Sequence, residues 1–321
     1  MTLRIGTRGS ELALYQANAV AAQLRATSGV DCEIVTIKTS GDRLAEATLT
    51  QIGGKRLFVK EIEDALLAGE VDLAVHSSKD MPAVLPEGLV IAGVLPREDA
   101  RDAVVLPGGA AAMSFEQLVS YLGANPRIGT SSVRRTAQLA RLFPGATFQA
   151  IRGNLGTRLR KLDEGQYDAI VLAAAGLIRL DNRLRISSVL PIAACVPAPG
   201  QGIIAVEIRA DDRAAADAVR AIDDPASRAA LDAERTVVTR LGGGCQMPIG
   251  AHAEITSSEM SLVAVVLSLD GAQAIRTESR GLIKESVKLG QQAADDLLSQ
   301  GADEILGDVQ RAHAAVEGIQ P

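Results

Sequence analysis

The tetrapeptide Arg-Ile-Gly-Thr occurs twice in this chain, at 4–7 and at 127–130, and each copy opens the same kind of stretch. The first runs through Arg8-Gly9-Ser10 into the apolar, helix-like Leu12-Ala13-Leu14-Tyr15-Gln16-Ala17. The second runs through Ser131-Ser132-Val133-Arg134-Arg135 into another such run. Further on, Gly69-Glu70-Val71-Asp72 precedes Leu73-Ala74-Val75, and Gly165-Gln166-Tyr167-Asp168 precedes Ala169-Ile170-Val171. Each of these reads as a helix stopped at glycine, then Asp, then a short buried strand. A strand, a Gly-Thr turn and a helix start aim unpaired N–H groups and the positive helix end the same way, which suits an anion. Two such turns predict two similar lobes facing one negatively charged ligand.

Apolar runs alternate with helical patterns: strand 3–6, helix 11–27, strand 33–38, helix 59–67 and strand 72–75. The alternation restarts at 127, with helix 133–141, strand 146–150, helix 154–163 and strand 168–172. That pattern predicts parallel sheets covered by helices, with the ligand beyond the carboxyl ends of the strands. Pro96, Pro107, Gly108 and Gly109, and then Val196-Pro197-Ala198-Pro199-Gly200, are breaker-rich and mark two crossings between lobes. The expected division is 1–98 with 200–220 as a first α/β lobe and 99–199 as a second, with 201–210 returning to the first sheet as an added strand. Residues 221–321 read as a smaller α+β domain: a helix at 226–240, strand-like runs near 249–256, 261–268 and 273–280, then helices near 284–299 and 302–316.

The net charge of −6 is unevenly spread. Residues 101–197 hold 12 Lys/Arg against 6 Asp/Glu, whereas 1–100 hold 10 against 14 and 198–321 hold 11 against 19. A basic middle inside an acidic protein points to a local anionic ligand. Only 2% of residues are aromatic and Trp is absent, which argues against nucleic-acid binding. No run of 18 uncharged apolar residues occurs, so no membrane span is expected. Three scattered cysteines and a first strand beginning directly after Met1 lead to the expectation of a cytoplasmic protein without disulfides. The histidines at 76, 252 and 313 are dispersed and no cysteine pair has ligand spacing, so no metal site is expected. Nucleotide-binding glycine motifs are also absent.

Three constellations carry chemistry. His76-Ser77-Ser78-Lys79-Asp80 follows a buried strand, where a carboxylate can stabilise a developing cation and Lys79 can pair with an anionic substituent. Arg134 and Arg135, with the Thr130, Ser131 and Ser132 hydroxyls, sit at one helix start, and Arg152 and Arg158 at another. Guanidinium forks match carboxylates bidentately, so these and Arg8 predict a multi-carboxylate site. Gly242-Gly243-Gly244-Cys245 presents a thiol on a glycine loop, suited to covalent attachment, whereas Cys32 and Cys195 read as inert core. Gly53-Gly54-Lys55-Arg56-Leu57-Phe58 reads as a lid with glycine hinges.

Along essentially its whole length the chain resembles the porphobilinogen deaminase (hydroxymethylbilane synthase) family. The carriers are Thr7-Arg8-Gly9-Ser10, Gly53-Gly54-Lys55-x-Leu57-Phe58, His76-Ser77-x-Lys79-Asp80 and Gly129-Thr130-Ser131-Ser132-x-Arg134-Arg135. Arg152-Gly153-Asn154-x-Gly156-Thr157-Arg158, Gly200-Gln201-Gly202 and Gly244-Cys245-Gln246-x-Pro248 complete the series in the same order. The resemblance implies two lobes like type II periplasmic solute-binding proteins around a hinged cleft, plus an α+β domain with a three-stranded antiparallel sheet. It implies a transferase of tetrapyrrole biosynthesis that joins four porphobilinogen molecules head to tail, releasing ammonia to give hydroxymethylbilane. It also implies a dipyrromethane cofactor held as a thioether on Cys245, and Asp80 as the catalytic carboxylate. Arg8, Ser10, Lys79, Thr130, Ser131, Ser132, Arg134, Arg135, Arg152, Arg158, Arg179 and Gln201 then match binders of substrate and cofactor, and Lys55 and Phe58 match the lid. Arg56 and Gly243 depart from the family pattern, at the lid and the cofactor loop. The expected partner is porphobilinogen alone, bound by a monomer. The alternative the residues leave open is a two-lobed anion- or solute-binding protein without catalysis, which requires neither Asp80 nor a glycine-flanked cysteine.

Overall fold

Strands β1 (Thr2–Thr7), β2 (Asp31–Thr36), β3 (Leu73–Ser77) and β4 (Leu89–Val94) come first along the chain. Strands β5 (Asp102–Val105), β6 (Arg127–Gly129), β7 (Thr147–Gln149), β8 (Ala169–Ala173), β9 (Ser188–Val189) and β10 (Ile204–Arg209) follow. The computed structural model describes residues 2–39, 59–244 and 246–317. One sheet has the order β2-β1-β3-β10-β4 and the other β7-β6-β8-β5-β9, which is the same arrangement position for position. In each, three strands run parallel and the fourth and fifth are antiparallel to their neighbours in the order.

The sheets are therefore mixed rather than wholly parallel, for a connectional reason. A parallel neighbour needs a crossover such as helix Glu11–Ser28 between β1 and β2. Strands β5 and β10 instead enter their sheets straight from the two crossings between lobes, with no helix before them, and are free to run the other way.

The two sequence echoes are bonded to each other in the same way in both lobes. Ile5 and Gly6 pair with Leu73 and Ala74, and Ile128 and Gly129 pair with Ala169 and Ile170. Just ahead of that register, the Arg4 N–H donates to Asp72 at 2.8 Å and the Arg127 N–H to Asp168 at 2.7 Å. Each arginine fork then grips the same carboxylate, and its Nη2 also donates to the carbonyl of the helix-stopping Gly69 or Gly165. The glycine of the tetrapeptide is explained by close packing. A Cβ on Gly129 would lie 2.9 Å from both Ile170 and Tyr167, and one on Gly6 would lie 3.0 Å from Val71.

The third sheet is an antiparallel meander of β11 (Ile249–Thr256), β12 (Glu259–Leu267) and β13 (Ala274–Leu282). Helices Pro225–Arg240, Ser286–Ser299 and Ala302–Glu317 close its core around Ala233, Val237, Leu262, Ala264, Ala293 and Leu297. Asp224 caps the first of these by accepting from the Ser227 N–H at 2.8 Å, and Pro225 occupies its first turn, where no N–H is needed. Among the described residues no helix is long and apolar enough to cross a membrane.

Candidate active site

Strand β3 delivers Ser77 to the edge of the cleft, and the chain then tightens into a 3-10 turn over Ser78–Asp80. That turn is anchored on both sides. The Ser77 hydroxyl and Gln16 Nε2 lie 2.8 Å apart, and the Ser78 N–H donates to the Ile203 carbonyl at 3.0 Å, on the second crossing. Lys79 is half-buried beneath the cleft, with Nζ donating to Gln201 Oε1 at 3.4 Å, and Asp80 is exposed into it.

The opposite wall comes from the second lobe. Ser131 bridges to Ile151, donating to its carbonyl at 2.7 Å and accepting from its N–H at 3.1 Å. Ser132 caps helix Val133–Leu142, whose first turn carries Arg134 and Arg135. Cations at a helix N-terminus oppose the helix field, and these two are also only 4% and 7% exposed. Asp102, fully buried at the start of β5, compensates both. Its Oδ2 accepts from Arg134 Nη1 at 2.7 Å, and its Oδ1 accepts from Arg135 Nε and Nη2 at 3.0 and 2.8 Å. Burial alone would raise the Asp102 carboxyl, but the two guanidinium groups overcome it and hold the group well below the ordinary carboxylate range.

These walls enclose a cavity of about 260 Å³. Of the residues singled out in the sequence, Lys79, Asp80, Ser131, Ser132, Arg134, Arg135, Arg158 and Gln201 line it. Arg235 joins them from helix Pro225–Arg240, so five cationic side chains face the space. Asp80 is the one carboxylate among the described lining residues. Burial, opposed by Asp80 and helped by Arg135, lowers Lys79 to about 8. Burial and then Arg135 also lower Arg158.

Arg8, Ser10, Thr130, Arg152 and Arg179 are not part of that lining. Ser10 accepts from the Ala13 N–H as the cap of helix Glu11–Ser28, and the Thr130 hydroxyl accepts from the Ser132 N–H at 3.3 Å. Arg179 donates to the Gly202 carbonyl at 2.7 Å, tying its helix to the second crossing. Arg8 and Arg152 are half-buried. Lys55, Phe58 and Cys245 lie outside the described residues. Gly244 and Met247, on either side of Cys245 and Gln246, both line the cavity that Asp80 faces.

Asp102 and Arg235 are the site residues that sequence reasoning missed. The only signal for Asp102 was its rarity, one of 6 acidic residues between 101 and 197. A larger groove of about 650 Å³ between β4 and helix Pro225–Arg240 shares Arg235 with the cavity but contains none of the motif residues.

Two family models match the chain. One is "Porphobilinogen deaminase, dipyromethane cofactor binding domain", over residues 3–217, and the other "Porphobilinogen deaminase, C-terminal domain", over 229–299. A porphobilinogen deaminase of Syntrophobacter fumaroxidans is 44% identical over 311 residues, covering 97% of this chain and 98% of that protein. One from Desulforudis audaxviator is 47% identical over 306 residues, covering 95% and 97%. Among solved structures, the periplasmic VFT2 domain of Bordetella pertussis BvgS matches at 17% identity over 69% of this chain and 86% of that one, with a TM-score of 0.41.

Proposed function

The chain belongs to the porphobilinogen deaminase family, and from that premise we propose how the cavity between its lobes carries out the family's reaction. The activity is the stepwise head-to-tail condensation of four porphobilinogen molecules to hydroxymethylbilane, with loss of ammonia, on a dipyrromethane primer.

The donor set fits that primer. Each of its two pyrroles carries two carboxylates, and the cavity offers Lys79, Arg134, Arg135 and Arg158 together with the Ser132 hydroxyl, while Ser131, its proton held by the Ile151 carbonyl, shapes the wall. In this reading Cys245 holds the primer through a thioether, a role supported by its neighbours Gly244 and Met247 lining the same space. When bound, the primer supplies a pyrrole α-carbon as nucleophile and a covalent anchor for the growing chain.

The chain's own residues do the rest. The arginines neutralise acetate and propionate arms and fix the ring planes, which brings the reacting carbons together without a search in solution. Loss of ammonia from porphobilinogen leaves a cationic pyrrole. Asp80 faces that charge and accepts from pyrrole N–H groups, stabilising the cation where it develops. Lys79 beside it stays largely protonated at neutral pH and pairs with a substrate carboxylate.

The observation that carries this reading is the placement of one carboxylate, Asp80, in a space whose other charged residues, among those described, are all cations. Intact-mass spectra of the folded protein before and after incubation with porphobilinogen test it. A covalent two-pyrrole increment followed by a ladder of single-pyrrole additions is expected, and active protein of unmodified mass would refute the attachment.

A further inference from the structure

We propose that Asp102 is a positioning residue that sets the cationic groups of both lobes around the cavity at once. The inference rests on the reading of that cavity as the site for pyrrole carboxylates. Asp102 does not line the cavity and touches no reacting group; it acts through the residues bonded to it.

Its two oxygens gather donors from three parts of the chain. Oδ2 accepts from Arg134 Nη1 and, at 3.4 Å, from the Cys195 thiol; Oδ1 accepts from Arg135 and, at 2.9 Å, from Gln201 Nε2. Gln201 carries the link onward, because its own oxygen accepts from Lys79 Nζ. An unbroken chain therefore runs from the turn bearing Asp80, through Lys79, Gln201 and Asp102, to the arginines of the facing helix. Gln201 lies on the second crossing, so the chain passes through the hinge between the lobes.

The bonding also decides which donors face the ligand. Among the described residues, the side-chain hydrogen bonds of Arg134 run from Nη1, to Asp102, the Cys195 sulfur and the Val196 carbonyl. Its remaining guanidinium donors are thus kept for the cavity that the residue lines. Arg135 spends Nε, Nη1 and one bond of Nη2 on Asp102 and the Val171 carbonyl, so its position is fixed more completely. Without the carboxylate, two buried guanidinium groups at a helix N-terminus would repel each other and turn toward other acceptors.

A role confined to stability differs from a positioning role in one measurable respect. Lys79 is faced by Asp80 on its own turn, Arg134 and Arg135 on helix Val133–Leu142, Asp102 on β5 and Gln201 on the crossing. Of these, Asp80 and Asp102 favour its protonated form by charge and Gln201 does so by accepting from it. Removing the Asp102 charge lowers the pH at which Lys79 loses its proton.

The test is Asp102→Asn in the full-length holoenzyme, with Asp168→Asn as control, since Asp168 holds Arg127 in the same lobe but away from the cavity. Thermal unfolding, intact mass after porphobilinogen, and kcat/KM against pH are measured for both. In Asp102→Asn, primer loading or elongation falls by at least ~10-fold, on the scale of one charged hydrogen-bonded contact, and the alkaline limb of kcat/KM moves to lower pH. Asp168→Asn loses stability and leaves both unchanged. A folded Asp102→Asn enzyme with a normal ladder and an unmoved alkaline limb overturns the proposal. If that variant does not accumulate as folded protein, Gln201→Met decides: it removes the acceptor to Lys79, and an unmoved limb there overturns the proposal equally. A wild-type protein that forms no pyrrole ladder would instead sink the reading of the cavity, so the two failures are distinguishable.

Discussion

Arg97 and Glu234 meet fork to fork, Nη1 to Oε1 at 2.6 Å and Nη2 to Oε2 at 3.2 Å, beside the two crossings between the sheets. Arg97 lies on the first crossing between the lobes and also donates through Nε to the Gln201 carbonyl on the second. Glu234, on helix Pro225–Arg240, is fully buried and accepts from the Gly200 N–H at 2.6 Å and the Ala253 N–H at 2.7 Å. One carboxylate thus fastens both crossings and the first strand of the third sheet. Glu234→Ala strands the half-buried Arg97 cation and two amides, and is expected to cost about 3–5 kcal/mol in urea unfolding. Glu234→Gln keeps one acceptor and costs less. Equal losses for the two variants would show that packing, rather than the bonding, supplies the stability.

Asp80→Asn preserves shape and removes the charge. Since Asp80 is exposed into the cavity, the fold and thermal stability stay near wild type. Turnover falls by at least ~100-fold, the loss typical of one electrostatic catalytic group. Product formation near the wild-type rate would remove Asp80 from the mechanism.

Cys245→Ala and Cys245→Ser are each expected to give protein whose intact mass equals that of the bare chain and which makes no hydroxymethylbilane. Either variant carrying a covalent pyrrole increment would move the attachment point elsewhere. Cys195 is not a substitute: burial, reinforced by Asp102, pushes its thiol up to about 12, which leaves too little thiolate to react.

The duplication was legible because the packing demand repeats with it. Gly6 and Gly129 must lack a Cβ against Val71 and Tyr167, and Arg4 and Arg127 must reach Asp72 and Asp168, so both echoes survive as readable strings. Their bonding to each other was hidden, because nothing local ties Arg4 to a residue 68 positions away. The antiparallel β5 and β10 were hidden for a related reason: a short apolar run carries no mark of direction, which connectivity alone supplies. Asp102 escaped notice because Asp102-Ala103-Val104-Val105 reads as an ordinary strand start, and only the fold brings it within reach of residues 134, 135 and 201. Motif residues such as Arg179 were legible as a pattern, while their position beside the hinge and outside the cavity lining was not.

The pH dependence of substrate capture follows from Lys79, with opposite signs for affinity and stability. Burial takes its pKa from 10.5 to about 8, against the pull of Asp80. In the free enzyme the ammonium that we propose pairs with a porphobilinogen carboxylate is therefore lost as pH rises through about 8, and kcat/KM, which reports the free enzyme, is expected to fall there. Between that value and 10.5 the unfolded chain holds the proton and the folded one does not, so this residue's contribution to stability rises with pH across the same window. Loss of activity above pH 8 is thus expected without a matching loss of folded protein. Lys79→Arg, whose guanidinium remains charged throughout, should flatten the alkaline limb even if its longer fork lowers the maximum. An unchanged limb in that variant, with folding intact, would assign the titration to another group.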